Sequence, residues 1–565
     1  MKRFSLLKFC RRFCSMSTIQ QFSRSEITKE NPRFSPFKVL VESAFYGNHV
    51  RSVQNIQDAY EMAKNAPGTV VTDMPIKHAK DLGLAEDTKI LVNNDGAIVG
   101  RTAAARVIVT EPGIDREGYR RVLREAVYQA TKQEVYKTEV VVGLDEEFMV
   151  RSHLMLPKGF EMNLYSYMLN FQLATPEWLD KYKQSKPYPE NDIYIFANPD
   201  WSHPDYPNGL ALFMPEANAA AILGLRYFGE LKKATLTLAW ATAHRNGFVA
   251  CHGGMKQYHL PDKTFTMAAF GLSGSGKSTI TLAKHHDENS KVEVLHDDAF
   301  VINRATGSTT ALEPAYFDKV QDYPLTDDAV NYFLTCQNVG ITLDEDGKKV
   351  LVLEDVRNGN GRTVKSRYVT PNRVDHLSEK IDAIFWIMKD NTLPPVIKIN
   401  NPTLAAVFGL TLATKRSTAE NLVGKVRRDQ LVIEPYANPF RSYKLSEDYL
   451  AFRELFANQH TACYVLNTDE FNGKKVTKEI TLGSIEKIIA ESGEFKPFGT
   501  IEDVEYLAID GYPVDFDDKA YCERLKERME TRLDFIQAQD HLKDGYHALP
   551  QETAELMRKI VNQLS

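Results

Sequence analysis

The sequence predicts an α/β protein of two domains, and three observations predict it. The chain has 565 residues, 43% hydrophobic and 25% charged, an ordinary globular composition with material for more than one core. Helix-like and strand-like stretches alternate through its first half. In the second half a short apolar run leads into a glycine-rich loop and then a helical stretch, the order of a mononucleotide-binding unit.

The chain begins with a segment unlike the rest. Lys2, Arg3, Lys8, Arg11, Arg12 and Arg24 precede the first acid, Glu26, and are interleaved with Leu, Phe and Ser. Residues 1–25 therefore read as a mitochondrial transit or disordered segment, with a matrix destination. Met16 could itself start translation, and a cytoplasmic location is the alternative. Residues 26–250 read as an N-terminal α/β domain. "SVQNIQDAYEMAKNA" has helical spacing, while "KTEVVVGL" and "NDIYIFANP" are strand-like. The proline-free run from Ala217 to Arg245 reads as one mostly buried helix ended by Asn246-Gly247. Residues 251–565 form the second domain, with a helical C-terminal end.

Charge and hydropathy exclude two partner classes. The net charge of −6 is small and the body of the chain has no long basic run, so nucleic acid is not expected. No apolar run approaches the roughly 18–20 residues that cross a bilayer, so no membrane partner is expected. The six cysteines lack zinc or disulfide spacing, apart from the close pair Cys10 and Cys14, which favours a reducing compartment.

The second domain opens on "TFTMAAF", a buried strand, followed by "GLSGSGKST" and the helix "STITLAKHH". Gly271, four residues, then Gly276-Lys277-Ser278 fit the P-loop. Backbone N–H groups wrap a polyphosphate only where side chains do not obstruct them. Lys277 reaches the outer phosphates and the Ser278 hydroxyl ligates Mg²⁺. Gly271, Leu272, Ser273, Gly274, Ser275, Gly276, Lys277, Ser278 and Thr279 are the expected ATP-binding loop. About 20 residues after Lys277, "KVEVLHDDAF" ends a strand on Asp297 and Asp298, where a metal contact belongs.

These residues resemble the ATP-dependent phosphoenolpyruvate carboxykinase family. The loop is similar to that family's G-L-S-G-T-G-K-T-T. "YFGELKK", with Tyr227, Lys232 and Lys233, and "VACHGG", with His252, have the family's spacing. "LEPAYF" with Glu313, "KSRYVTP" with Arg367, "LPPV", the lid-like "GLTLATKRSTAE" and "LNTDEFNGKKVTKEIT" follow in order, and "GAIVGRTAAARVIV" near the start supplies Arg101. The chain is a divergent member: Thr-Ala-Ala-Ala-Arg follows Arg101 and Gly-Gly-Met follows His252, where the family has Ser-Pro-Lys-Asp-Lys and Ser-Ala-Asn. After Asp298, Ala-Phe replaces Glu-His-Gly-Trp.

The resemblance implies a two-domain carboxykinase-like fold with the P-loop in the C-terminal domain, the active site between the domains, and the substrate held on the N-terminal side. It implies the gluconeogenic reaction of oxaloacetate with ATP, giving phosphoenolpyruvate, ADP and CO₂, with Mg²⁺ and Mn²⁺ as cofactors. Lys233, His252 and Asp298 match a transition-metal site, Ser278 serves the nucleotide Mg²⁺, and Asp297 stands in that centre's surroundings. A ligating lysine must be neutral, so Lys233 is expected to have a depressed pKa. Lys232 points about 100° away on a helix and is cast as a charge beside the transferring phosphoryl group. Arg101 and Arg367 are expected to clamp the substrate carboxylates, with Tyr227 orienting the leaving one. Ser273, Glu313, Lys475 and Thr481 match positions around ATP. Two other functions remain open at this point: a P-loop kinase of another small acid, and a nucleotide-binding protein without catalysis.

Overall fold

The computed structural model describes residues 18–94, 100–272, 274–283, 291–354, 360–416, 420, 422–423 and 430–564. Residues 1–17, most of the expected transit segment, lie outside them, as do Ser273, residues 284–290 and parts of the lid-like stretch.

Three sheets carry the fold. Among the described residues the first has eight strands, centred on Ile193–Asn198 and Ala219–Leu223, which pair in parallel. Every residue of these two strands is buried, as expected of strands covered on both faces. Helices Pro36–Ala44 and Arg116–Ala130 cover one face; Glu161–Asn170 and Phe228–Arg245 cover the other.

The second sheet has eleven strands among the described residues, with three parallel strands at its centre: Thr264–Phe270, Ala383–Met388 and Ala462–Asn467. Helices Pro402–Leu410, Leu445–Asn458, Lys519–Ala538 and Gln551–Gln563 pack into one apolar cluster with it. The short helix Lys277–Leu282 and Lys478–Ile489 pack into another.

Among the described residues a third sheet, of five strands, joins the chain's two halves. Its order is Tyr316–Lys319, Arg362–Lys365, Phe333–Gln337, Lys89–Asn93, Thr69–Pro75. It therefore draws on residues from both sides of position 250, and the expected boundary there falls inside the strand Phe248–His259. Two strands from the N-terminal half thus brace the wall that faces the glycine loop.

The run from Ala217 to Arg245 is not one helix. Asn218 turns the chain in the left-handed region (φ 51°), Ala219–Leu223 is a strand, Gly224 turns again (φ 68°), and the helix starts only at Phe228. A Cβ on Gly224 would stand 2.7 Å from the Trp201 carbonyl oxygen, so glycine is required there. Both segments are buried on all sides, which leaves no helical or strand period to read. The strand forms because Ile193–Asn198 and Leu210–Met214 stand on either side to pair with its backbone. The helix ends as expected, at Asn246 with Gly247 at φ 87°. Among the described residues no helix is long and apolar enough to cross a membrane.

Candidate active site

Four elements meet at one cavity. The strand Thr264–Phe270 runs into the glycine loop, whose Gly274 and Gly276 sit at φ 84° and 99°, and the helix begins at Lys277. At Gly271 a Cβ would lie 2.3 Å from the Ser275 hydroxyl, so the loop closes only around a bare α-carbon. The helix Phe228–Arg245 brings Lys232 and Lys233 in its first turns, the strand Phe248–His259 brings His252, and the turn after Lys291–His296 brings Asp297 and Asp298.

The cations converge on one carboxylate. Asp298 Oδ2 accepts from Lys232 Nζ at 2.5 Å and from Lys233 Nζ at 2.8 Å, while Lys277 Nζ stands 3.3 Å from Oδ1. The Lys232, Lys233 and Lys277 charges hold the Asp298 carboxyl well below its usual range against the opposing effect of burial. His296, fully buried and kept neutral by that burial, fixes the turn: its Nδ1 accepts from the N–H groups of Asp298 and Ala299 at 2.9 and 3.1 Å, and Nε2 faces the Ala315 carbonyl.

Lys233 and His252 are both biased toward their neutral forms. Burial lowers the Lys233 ammonium to about 8, and burial with the charges of Lys277 and Lys233 lowers His252 to about 3. His252 Nδ1–H donates to the Ala437 carbonyl, which leaves the Nε2 lone pair facing Asp298 Oδ1 at 3.0 Å. Two acceptors then face each other, an arrangement that a cation between them resolves. Adjacent donors at about 2.1 Å in an octahedral shell stand about 3 Å apart, so the spacing fits such a metal. Among the described residues no group of three or more His, Cys, Asp or Glu is placed to hold a metal; Lys233 Nζ stands 2.8 Å from Asp298 Oδ2 on the other side of the carboxylate.

The Ala437 carbonyl is held by local strain. Tyr436 and Ala437 both have left-handed backbones, at φ 54° and 52°; the Tyr436 ring stacks on Phe452 at 4.4 Å and its hydroxyl donates to the Ala406 carbonyl. Three residues on, Phe440 lies 4.7 Å from Lys233 Nζ, 5.0 Å from the Arg101 guanidinium and edge-on to His252. It is the apolar wall of the site, and sequence reading missed it because a lone aromatic carries no local signal.

Most of the residues singled out from sequence do share this cavity. Arg101, Tyr227, Lys233, His252, Leu272, Gly274, Gly276, Lys277, Ser278, Thr279, Asp297 and Asp298 all line it. Arg101 is paired with Glu420 at 3.5 Å. Asp297 is buried, and burial together with Asp318 pushes its carboxyl up. A second recess behind the glycine loop is lined by Gly274, Ser275, Thr279, Thr468, Lys389 and Thr481 among others. Thr468 Oγ1 donates to the Ser275 carbonyl at 2.9 Å and ties the two together.

Four expectations are corrected. Lys232 does not face the cavity: its side chain is fully buried, locked between Asp298 and Glu313 at 2.9 Å, and these anions raise its pKa against burial. Its four-carbon stem lets it bend under the first turn despite its different heading on the helix. Glu313 is likewise buried beneath Lys232, held also by Asn170 at 2.7 Å, and lines neither recess. Arg367 gives both bonds of its Nη2 to Asp375, at 2.9 and 3.1 Å, and is off the cavity wall. In its place stands Arg362, five residues earlier, at the start of a strand and over the Phe317 ring. Lys475 is exposed on a hairpin; Lys478 and Lys389 line the recess behind the loop instead. The signal that could have found Arg362 is "NGRTV", as near to the family's N-T-R-V as "KSRYV" is.

The family described as phosphoenolpyruvate carboxykinase matches residues 61–506. Over 305 residues the chain is 24% identical to phosphoenolpyruvate carboxykinase (ATP) of Aeropyrum pernix, covering 52% of this chain and 60% of that protein. Over 219 residues it is 23% identical to phosphoenolpyruvate carboxykinase (ATP) of Dictyostelium discoideum, covering 34% and 36%. The matched stretches thus span 60% or less of the relatives' own length.

Proposed function

The chain belongs to the phosphoenolpyruvate carboxykinase family, and we propose that it converts oxaloacetate and ATP into phosphoenolpyruvate, ADP and CO₂. One observation carries the reading. Lys233, whose ammonium burial lowers to about 8, and His252, which burial keeps neutral, share Asp298 with Lys277 of the glycine loop, so a nitrogen and carboxylate donor set stands beside the phosphate loop in one cavity. A plain kinase forms no enolate, so it needs no metal held at one.

Lys233 Nζ, His252 Nε2 and Asp298 would hold a transition metal such as Mn²⁺, and Ser278 the nucleotide Mg²⁺. Bound there, the metal supplies positive charge where the keto oxygen becomes an enolate. Everything else falls to side chains. Arg101 and Arg362 clamp the two carboxylates, and Tyr227 orients the one that leaves. Phe440 and Leu272 exclude water from the reacting end. The loop amides and Lys277 hold the polyphosphate in line for attack by the enolate oxygen, with Asp297 beside the nucleotide metal. When phosphate arrives, Lys277 exchanges its bond to Asp298 for one to the phosphoryl oxygens. Thr481, Lys389 and Lys478 line the recess where the nucleoside lies.

The test is purified full-length protein with oxaloacetate, ATP and Mg²⁺, with and without micromolar Mn²⁺, following phosphoenolpyruvate by mass. Mn²⁺ should raise a low Mg²⁺-only rate, and His252→Gln should abolish that response while ATP still binds. Phosphorylation without CO₂ release, or a His252→Gln protein that keeps the Mn²⁺ response, refutes the reading. The basic first residues support delivery to the mitochondrial matrix; a reporter carrying residues 1–25 that stays cytosolic removes that proposal.

A further inference from the structure

The turn that follows Arg101 ends on a second arginine, which the mechanism above does not use. Ala103–Ala105 form a tight turn, and Arg106 opens the strand Arg106–Ile108, which pairs in parallel with Leu210–Met214 at the edge of the first sheet. The Arg106 guanidinium lies 4.2 Å over the ring of Phe213 on that neighbouring strand. It is partly buried and stands off the cavity wall.

Its hydrogen bonds lead away from the sheet. Nη2 donates to the Thr237 hydroxyl at 3.1 Å and to the Phe440 carbonyl at 2.7 Å. Thr237 belongs to the helix that carries Lys233, and Phe440 lies 334 residues further along the chain. One side chain of the first sheet thus ties that helix to the loop that supplies the cavity's apolar wall. A bond from a guanidinium to a carbonyl is charge-assisted, and the ring beneath the guanidinium fixes its plane.

Phe440 is the contact through which this tie reaches the site. Its N–H donates to Asn438 Oδ1 at 3.1 Å, and its ring lies near-parallel to Trp240 at 6.2 Å. The same ring is in reach of Lys233 Nζ, at 4.7 Å, and of the Arg101 guanidinium, at 5.0 Å. A shift of the Phe440 backbone therefore changes the surroundings of both. Glu230, buried in the first turn of the helix, holds the other end of the arrangement. It accepts the Thr102 N–H at 2.7 Å, and Arg101 and Arg106 are the cations that act on its carboxylate.

We propose that Arg106 is a positioning residue for the substrate end of the cavity: it fixes the Phe440 carbonyl from the first sheet, holds the ring against Arg101 and Lys233, and so sets the spacing between the carboxylate clamp and the metal donors. The proposal rests on the reading of Arg101 as a substrate clamp and goes beyond it, since Arg106 touches no reactant. Arg106 closes the altered segment Thr-Ala-Ala-Ala-Arg, at the place of the last lysine in the family's Ser-Pro-Lys-Asp-Lys. A lysine there keeps a donor for the carbonyl but loses the planar stack on Phe213.

The experiment uses the full chain and reads four quantities: oxaloacetate binding by calorimetry with Mg²⁺ and no nucleotide, binding of a fluorescent ATP analogue, phosphoenolpyruvate formation, and thermal melting. Arg106→Met should raise both the Kd and the KM for oxaloacetate by about 10- to 100-fold, the scale of a misplaced binding group, and leave ATP-analogue binding within about twofold. Arg106→Lys should recover oxaloacetate binding to within about fivefold of the parent. In a Phe440→Leu protein, which has lost the ring, adding Arg106→Met should cost less than about threefold more. Oxaloacetate Kd and KM of Arg106→Met within about twofold of the parent overturn the proposal. So does an equal loss of oxaloacetate and nucleotide affinity with a lowered melting temperature in both Arg106→Met and Arg106→Lys, which makes Arg106 a brace of the fold. An undiminished Arg106→Met loss in the Phe440→Leu background overturns it too, because Arg106 then acts elsewhere than on the ring. If the parent binds oxaloacetate but forms no phosphoenolpyruvate, the carboxykinase reading falls, while the binding measurements still judge Arg106. A parent that binds no oxaloacetate removes both.

Discussion

Asp298→Asn removes the carboxylate that gathers three ammonium groups at 2.5, 2.8 and 3.3 Å. At an effective dielectric of about 20, each pair has a bare attraction of about 5–7 kcal/mol. Most of that offsets desolvation and the mutual repulsion of the lysines, and deletion of one buried partner leaves a net loss of about 3–5 kcal/mol. With an unfolding entropy of about 2.1 cal/mol/K per residue over 565 residues, the melting temperature should fall by about 3–4 °C. The loss should shrink as pH rises. A lysine whose folded pKa lies below its unfolded value, as for Lys233 at about 8 against 10.5, binds fewer protons folded than unfolded between those values. Stability there increases with pH, and without Asp298 the lysines are depressed further. Calorimetry with chelator at pH 7 and pH 9 reads both effects, and added Mn²⁺ should stabilise the parent protein and not the variant. A variant that melts within about 1 °C of the parent at pH 7 refutes the account of Asp298 as the hub of the site.

Two further outcomes follow from the same geometry. Arg362→Gln should raise the KM for oxaloacetate by about 10- to 100-fold with ATP binding intact, whereas Arg367→Gln, which loses only a partly exposed pair with Asp375, should leave KM unchanged; the reverse result restores Arg367 to the site. Lys256 is buried behind the glycine-loop helix, where it donates to the Ile280 carbonyl, and burial lowers its pKa to about 7. Its cost to stability is fully present below pH 7 and disappears as pH rises toward 10.5, so Lys256→Met should raise the melting temperature at pH 7 and flatten its rise toward pH 9. An unchanged pH slope excludes Lys256 as the source.

The phosphate loop was legible because its requirements are local. Gly271, Gly274 and Gly276 are needed by a turn of a few residues, and the strand before and helix after lie within the same short stretch. As a set, Lys233, His252 and Asp298 could be singled out only through the resemblance to the family's ordered motifs, since no two lie in one element and each by itself is an unremarkable polar residue. Arg367 was misread because two arginines stand five residues apart and only strand pairing with Tyr316–Lys319 turns Arg362 toward the cavity. Ala219–Leu223 was misread as helix because an all-buried segment shows no period, and its partners lie outside it in sequence.

By itself, then, the sequence determined the α/β class, the glycine loop and the set of polar groups that could serve a metal and a polyphosphate. The class and the loop depend on residue type and short spacing, which the chain carries wherever it folds, whereas the polar set was found through its match to the family's motifs. The tertiary structure alone decided which charges face the cavity and which lie under it. Lys232 and Lys233 are neighbours in one helix, yet one is sealed against Glu313 and the other opens beside Phe440. That choice is made by what packs around each side chain, and the packing partners come from segments tens to hundreds of residues away: Asp298, Glu313 and Phe440 for the lysines, and Ala437 for His252. Electrostatic environment is a property of that assembly, because burial and neighbouring charge exist only once the sheets have closed around the site.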